Sequence, residues 1–266
     1  MLTVILAIGR EILRGRVQDT NSWTLARRLT SLGHEVIRIT SCDDDLVAIV
    51  REIRRAAEDG AALIVTTGGL GPTDDDLTLQ AVAEANGRPL VLHPEARHLV
   101  AAQYAALARS GAVTDDRMTT SREKMAWLPQ GATPLPNPAG AAPGVWLEAA
   151  RMNYLALPGV PAEMQAILEQ AVLPILAARV PGAAYAERRI VTQARDESVV
   201  VPVLRRLVRE LPEVYVKSHP TRFGSDVRME IFASTWASDP VAAHRRLARA
   251  LSLLREALGE EPPTDA

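Results

Sequence analysis

The chain has 266 residues, 47% of them hydrophobic and only 4% aromatic, which describes an aliphatic globular protein and excludes a disordered or fibrous one. Its formal net charge of -2 gives no general electrostatic attraction to nucleic acid or to an anionic membrane. Cys42 is the only cysteine, so an internal disulfide and a multi-cysteine zinc site are excluded and a reduced compartment is expected.

Leu2 to Ile8 reads as a buried strand. Its apolar run, Val4 to Ile8, lacks a charged flank and is too short for a membrane span or a secretion signal, so a cytoplasmic location is expected. Asn21 to Leu32 predicts a helix with Gly33 just past its end, and His34 to Thr40 alternates like a strand. Asp43 to Asp45 cap a helix to about Asp59, and Ala61 to Thr66 is the next strand. A β-α-β-α-β order with apolar strands implies a parallel sheet covered on both faces. Right-handed crossovers then bring the loops Gly9 to Asp19 and Gly68 to Asp76 to one edge of the sheet.

Leu77 to Asn86 is helix-like, Pro94 to Ser110 is a long Ala-rich helix, and Asp116 to Ala126 predicts another helical piece. Strands follow at Gly144 to Ala150 and Asn153 to Leu157. The helix Pro161 to Ala178 contains Pro174, where a kink is expected. Arg179 to Ala186, with Pro181 and Gly182, reads as a linker. Beyond it the pattern gives a strand (Arg188 to Thr192), a helix (Asp196 to Glu210), two strands (Glu213 to Ser218, Val227 to Ser234) and a helix (Asp239 to Leu258). The expected division is therefore a first domain over residues 1–179 and a small β-α-β-β-α domain over 186–260.

Thr66 to Thr78, T-T-G-G-L-G-P-T-D-D-D-L-T, is the most informative stretch. A strand that ends in glycines and opens a helix lets bare backbone approach a ligand. Gly68, Gly69 and Gly71 permit positive φ, so their N–H groups can converge on a phosphate at the helix start. Asp74, Asp75 and Asp76 would repel that phosphate unless a divalent cation lies between, and magnesium takes carboxylate and phosphate oxygens together. The plain alternative is that Asp74 caps the helix and its neighbours favour the dipole.

Three other segments converge on the same edge. Ile8 to Asn21 supplies Gly9, Glu11, Gly15 and a polar Asp19-Thr20-Asn21 run that serves equally as cap or ligand contact. Leu135 to Gly144 is a rigid proline- and glycine-rich loop in which Asn137 offers both donor and acceptor edges. Leu157 to Met164 is another strand-to-helix passage with Gly159 before the helix, readable also as a sharp turn. All basic residues but Lys124 and Lys217 are arginine. A lysine that persists at Lys124 points to a site where a compact ammonium differs from a planar guanidinium.

Taken together these segments resemble the MoaB/MogA-type molybdopterin-binding fold in the form found in the N-terminal part of the CinA (competence/damage-inducible protein A) family. The residues that carry the resemblance are Gly9-x-Glu11, Gly15-x-x-x-Asp19-Thr20-Asn21, Thr66 to Thr78, Asn137-Pro138 with Ala142-Pro143-Gly144, and Leu157-Pro158-Gly159-x-Pro161. The resemblance implies a three-layer α/β/α domain with a mostly parallel sheet, followed by a small α+β KH-like domain. In molybdopterin-handling relatives an arginine-aspartate pair follows the glycine loop; Asp76 falls on that aspartate and Asp75 on the arginine, which argues against simple molybdopterin adenylyl transfer.

The resemblance further implies an adenine dinucleotide ligand and metal-dependent cleavage of ADP-ribose. Expected site residues are Asp75, Asp76, Glu11 and Lys124 for catalysis, with Asp76 and Asp75 on a divalent metal, magnesium first. Gly68, Gly69, Gly71, Thr73, Thr20, Asn21, Asn137, Gly140 and Gly159 are expected around the nucleotide. The alternatives are a molybdopterin-binding, adenylyl-transferring protein or a non-catalytic nucleotide binder. CinA proteins carry a nicotinamide-nucleotide deamidase that this sequence stops short of, so deamidation is not expected. The small domain has no G-x-x-G clamp for RNA, and its expected role is that of a spacer or an oligomerisation module in a homo-oligomer that contacts neither nucleic acid nor membrane.

Overall fold

The computed structural model describes residues 1–179, 184–220 and 228–259. These form two compact units, one of residues 1–30 and 34–179 and the other of residues 31–33 with those beyond 179. The first unit runs β1 (Leu2–Ile8), α1 (Arg10–Leu13), α2 (Thr20–Ser31), β2 (Glu35–Cys42), α3 (Leu46–Glu58), β3 (Leu63–Thr67), α4 (Thr78–Ala85) and β4 (Leu90–Leu92). It continues through α5 (Pro94–Arg109), α6 (Thr120–Lys124), β5 (Trp127–Pro129), β6 (Thr133–Leu135), β7 (Gly144–Leu147), β8 (Asn153–Leu157), α7 (Pro161–Ile167) and α8 (Leu173–Arg179).

The main sheet has the order β2-β1-β3-β8-β7-β6. β1 pairs parallel with β2 and β3, and β3 parallel with β8, while β7 is antiparallel to both β8 and β6. This is the mostly parallel α/β architecture that the patterning predicts. Alternation sends Val4, Leu6 and Ile8 of β1 into one core with Ile49 and Ile53 of α3 and Val82 of α4. Ile5 and Ala7, on the opposite face, are equally buried, so both faces are covered and the strands read as unbroken apolar runs.

The short strands β4, β5 and β6 escape a pattern-based reading because three residues are too few for a period of two to show. β4 and β5 form their own two-stranded ladder. The helix expected over Asp116 to Ala126 shortens to α6, since Trp127 to Pro129 is drawn into that ladder. Only Asp45 of the three aspartates caps α3, accepting from the Ala48 amide at 2.9 Å. Between α7 and α8 the chain widens to a π-turn over Leu168–Val172. Pro174 lacks an N–H and its ring crowds the carbonyl four residues back, so the predicted irregularity takes this form.

The second unit runs β9 (Ala184–Val191), α9 (Glu197–Glu210), β10 (Val214–Pro220), β11 (Met229–Ala237) and α10 (Pro240–Leu258). Its antiparallel sheet has the order β10-β11-β9, with Ile231 and Ala233 packed in one core with Val200 and Leu207 of α9 and Leu247 and Leu254 of α10. β9 begins earlier than predicted, inside the expected linker, because the Tyr185 and Trp236 rings meet across the β9–β11 ladder at 5.3 Å. The start expected for the last strand, Val227, lies outside the described residues. Among the described residues no helix is long and apolar enough to cross a membrane.

His34, between α2 and β2, is fully buried, with Nδ1 3.0 Å from the Thr3 hydroxyl and Nε2 without a partner. Burial, with the chain's amino terminus nearby, lowers its pKa from 6.5 to about 4. The unfolded chain therefore binds a proton between these values that the folded chain refuses, and stability must fall as pH drops through that window. Denaturant titrations from pH 4 to 7 should show this decline in the parent and a shallower one in His34→Gln. An equally steep decline in the variant would assign the effect elsewhere.

Candidate functional site

The loops at the C-terminal ends of β1, β3 and β8 enclose a cleft of about 630 Å³. Its floor is the turn after β3. Gly68 and Gly69 have φ of 105° and 67°, a region closed to most side chains. A Cβ on Gly68 would strike the Ile8 carbonyl, and one on Gly69 the Thr78 hydroxyl. Gly71 has no positive φ and is required for space instead, since a Cβ there would press on the Asp76 carboxylate.

The Gly68 amide is spent on the Leu157 carbonyl at 3.0 Å, which corrects the expectation that it joins a phosphate cradle. Gly69, Leu70 and Gly71 donate no backbone hydrogen bond among the described residues, so three amides remain. The start of α4 is stitched to this turn: Thr78 donates its amide to the Gly69 carbonyl at 3.2 Å and its hydroxyl to the Gly68 carbonyl at 2.8 Å. Asp74 does not cap α4; Leu77 holds the cap position without a side-chain bond.

Among the described residues five carboxylates line the cleft, Glu11, Asp44, Asp75, Asp76 and Glu163, and no lysine or arginine does. Asp76 accepts from the Thr73 amide at 2.9 Å and lies 2.7 Å from the Thr73 hydroxyl. The same hydroxyl bonds to Asp75. It carries one proton for two carboxylates, which leaves one of them without a donor there. That hydroxyl bond, first, and then backbone donation and the charges of Lys124 and Arg10 hold Asp75 below the usual carboxylate range.

Arg10 and Lys124 act from behind the lining. The Arg10 guanidinium pairs with Asp43 at 2.7 Å and its amide donates to Asp44 at 2.8 Å. Burial, opposed by that amide bond, and the nearby charges of Glu11 and Asp43 raise the pKa of Asp44. The Lys124 ammonium donates to the Thr73 carbonyl and to the Asp76 carbonyl, the latter at 3.0 Å. It fastens the loop between them to α6.

Several expected ligand residues serve as ties between loops. Asn21 is buried, and its amide donates to the Thr67 hydroxyl and the Gly159 carbonyl, both at 2.8 Å. Thr20 is exposed at the start of α2 and absent from the lining, while Asp19 caps that helix through the Ser22 amide at 2.9 Å. Asn137 spends its donors on the Ala142 carbonyl and on Glu163 at 2.7 Å, and its acceptor on the Ala139 amide. Gly140 lies against the Glu163 carboxylate, where a Cβ would collide. Gly159 lines the cleft beside Gly68. Pattern reasoning missed Asp44 and Glu163; the Asp43-Asp44-Asp45 run following β2 on the same edge was the available signal for the first, and Glu163, in the first turn of α7, had none beyond its place in Leu157 to Met164.

Among the described residues no group of three or more His, Cys, Asp or Glu converges to hold a metal. The donor set instead fits a hard divalent cation shared with a ligand. Magnesium is held by one or two carboxylates, waters and substrate phosphates rather than by an all-protein cage, and Asp75 and Asp76 are the lining carboxylates that would hold it.

Residues 4–178 match the family described as a probable molybdopterin binding domain, and the chain belongs to this family. A protein of Aeropyrum pernix is 43% identical over 256 residues, 96% of this chain and 88% of its own. One of Thermococcus kodakarensis is 40% identical over 233 residues, 88% of this chain and 91% of its own. Among solved structures, the protein CinA with unknown function from Thermoplasma acidophilum aligns with a TM-score of 0.60 at 34% identity, covering 66% of this chain and 99% of that one. The first domain is thus a MoaB/Mog-type domain of the CinA-like form.

Two outcomes follow from this geometry. Asn21→Asp, which replaces a donor by a charge facing two oxygens, should destabilise more than Asn21→Ala, itself costing roughly 1–3 kcal/mol; acidification should narrow the gap between them, and equal melting curves at pH 8 would refute the assignment. Lys124→Arg keeps charge but cannot seat a planar guanidinium between two carbonyls. Loss of ~1 kcal/mol there should quicken amide exchange over residues 71–77 roughly fivefold, and unchanged exchange would release Lys124 from this role.

Proposed function

We propose that this member of the molybdopterin-binding-domain family hydrolyses the diphosphate of ADP-ribose in its acidic cleft with the aid of a divalent cation, magnesium first. The observation that carries the reading is the pairing of three unbonded amides, Gly69 to Gly71, with a lining that has five carboxylates and no cation. Such a lining repels a diphosphate by itself. A divalent cation, when bound, neutralises charge between the carboxylates and the diphosphate oxygens. The choice of ADP-ribose rests on the CinA-like signature, with Asp75 and Asp76 after the glycine loop.

In this reading Asp75 and Asp76 are the metal ligands, and the Gly69 to Gly71 amides hold phosphoryl oxygens as charge builds on them. A water oxygen bonds to one phosphorus while the bridging P–O bond breaks, and the electron pair leaves with the other phosphate. AMP and ribose 5-phosphate result. Asp44, whose proton affinity is raised by burial and by Glu11 and Asp43, accepts the water's proton. Lys124 acts on the reaction through the loop it fastens. The family description favours a second reading, in which the same cleft moves AMP from ATP onto a pterin dithiolene and releases pyrophosphate.

Purified protein incubated with ADP-ribose should yield AMP and ribose 5-phosphate with magnesium and nothing with EDTA. Asp76→Asn, which keeps an acceptor for Thr73 but removes the charge, should lower turnover by about 100-fold or more while its melting temperature barely moves. Absence of cleavage under any divalent metal would overturn the hydrolase reading, and pyrophosphate release from ATP only in the presence of pterin would put the transferase in its place.

A further inference from the structure

The far edge of the main sheet, opposite the cleft, holds a second cavity of about 660 Å³. It lies where α3 and α4 end and where β7 turns into β8. Its charged lining is Arg54, Arg88, Arg151 and Glu58, and its neutral polar groups are Asn86 and the Tyr154 phenol. The cavity is as large as the cleft, has the opposite sign, and has no part in the reaction above.

We infer that this cavity binds a small phosphate-bearing anion. In its lining three guanidinium groups stand against one carboxylate. The side chains of Arg54 and Arg151 form no hydrogen bond or ion pair among the described residues. Glu58 stands one helical turn from Arg54 without pairing to it. Arg88 is held in place by the Gln130 carbonyl at 2.9 Å and the Glu148 carbonyl at 3.0 Å. Those bonds use two of its five N–H groups and leave the rest for a ligand.

Helix dipoles alone do not account for this arrangement. A cation near a helix C-terminus complements the partial negative charge there, and Arg54 stands one turn before the end of α3. Arg151 belongs to the turn between β7 and β8 and ends no helix, yet it lines the same cavity. Tyr154 is 6% exposed, and with Asn86 it adds neutral polar groups beside the charged ones. Asn86 is spent on the Val82 carbonyl at 2.8 Å, but forked guanidinium donors and a phenol around a cavity of this size suit the several oxygens of a phosphate or diphosphate group.

The test uses the full chain in EDTA, where the acidic cleft repels anions and the arginine cavity attracts them. Calorimetric titration with inorganic pyrophosphate should show one bound anion, and Arg54→Ala/Arg151→Ala should weaken it by about tenfold or more. Both arginines have exposed side chains and no bonds to lose, so the double variant's ligand-free melting temperature should stay at the parent value; should it fail to fold, Arg151→Ala alone carries the same reading. No pyrophosphate binding by the parent in EDTA, or undiminished binding by the arginine variants, overturns the inference. Neither result bears on ADP-ribose cleavage, which is read with magnesium present.

Discussion

The whole cleft depends on one buried amide. Asn21, at the start of α2, holds the end of β3 through the Thr67 hydroxyl and the loop after β8 through the Gly159 carbonyl, and Thr67 in turn donates to the Pro158 carbonyl at 3.0 Å. Strands β3 and β8 are neighbours in the sheet, but their ladder ends at Thr67 and Leu157. Past that point, side-chain bonds must keep the two loops together. Gly68 and Gly159 can then approach closely enough that a Cβ on Gly159 would touch the Gly68 backbone. The arrangement has a cost: the Asn21 Oδ1, Ser22 Oγ and Thr66 Oγ1 atoms are buried without partners, each a desolvation penalty. Strain gathered beside a cleft is what a site that must present bare backbone entails.

Above this floor, electrostatics governs. Five carboxylates around one cleft would repel one another unless cations stood close by, and Arg10 and Lys124 do so from outside the lining. Arg10 draws Asp43 and Asp44 toward α1, and Lys124 pins the carbonyls of the aspartate loop. The effect is unequal. Asp75 is held ionised by its hydroxyl bond and these two cations, whereas Asp44 is pushed the other way by burial and by Glu11. Carboxylates separated in this way can divide labour, the stronger acid binding a cation and the weaker one taking a proton.

Much of this was legible in the sequence because it rests on local chemistry. Apolar runs of Val, Ile and Leu announced β1, β3 and β8, and glycines after a strand announced the floor. The reading was weaker wherever one residue type serves two ends. Asn21 and Asn137 carry donor and acceptor edges that suit a nucleotide, yet the fold spends their donors on Gly159, Thr67, Ala142 and Glu163. Their partners lie as far as 138 positions away, beyond any pattern. Gly71 was expected to be free at φ and is instead small for the sake of Asp76. The strands β4 to β6 were invisible because their pairing, and not their composition, makes them strands.

The polarity of the sheet explains the division of charge between its two edges. In a parallel α/β layer the helices start near the C-terminal ends of the strands and finish near the other edge, so their dipoles add and leave one edge partially positive and the other partially negative. Carboxylates collect at the first edge, at Asp44, Asp75, Asp76 and Glu163, where α3, α4 and α7 begin, and arginines at the second, where α3 and α4 end. Each group stabilises the helix end beside it, and that alone accounts for charges scattered singly. Clustering is a further step. Several like charges around one concavity repel at short range and persist only where a counter-charge offsets them. A fold that places such clusters at both ends of α4, an eight-residue helix, has built two concavities of opposite sign on one short element.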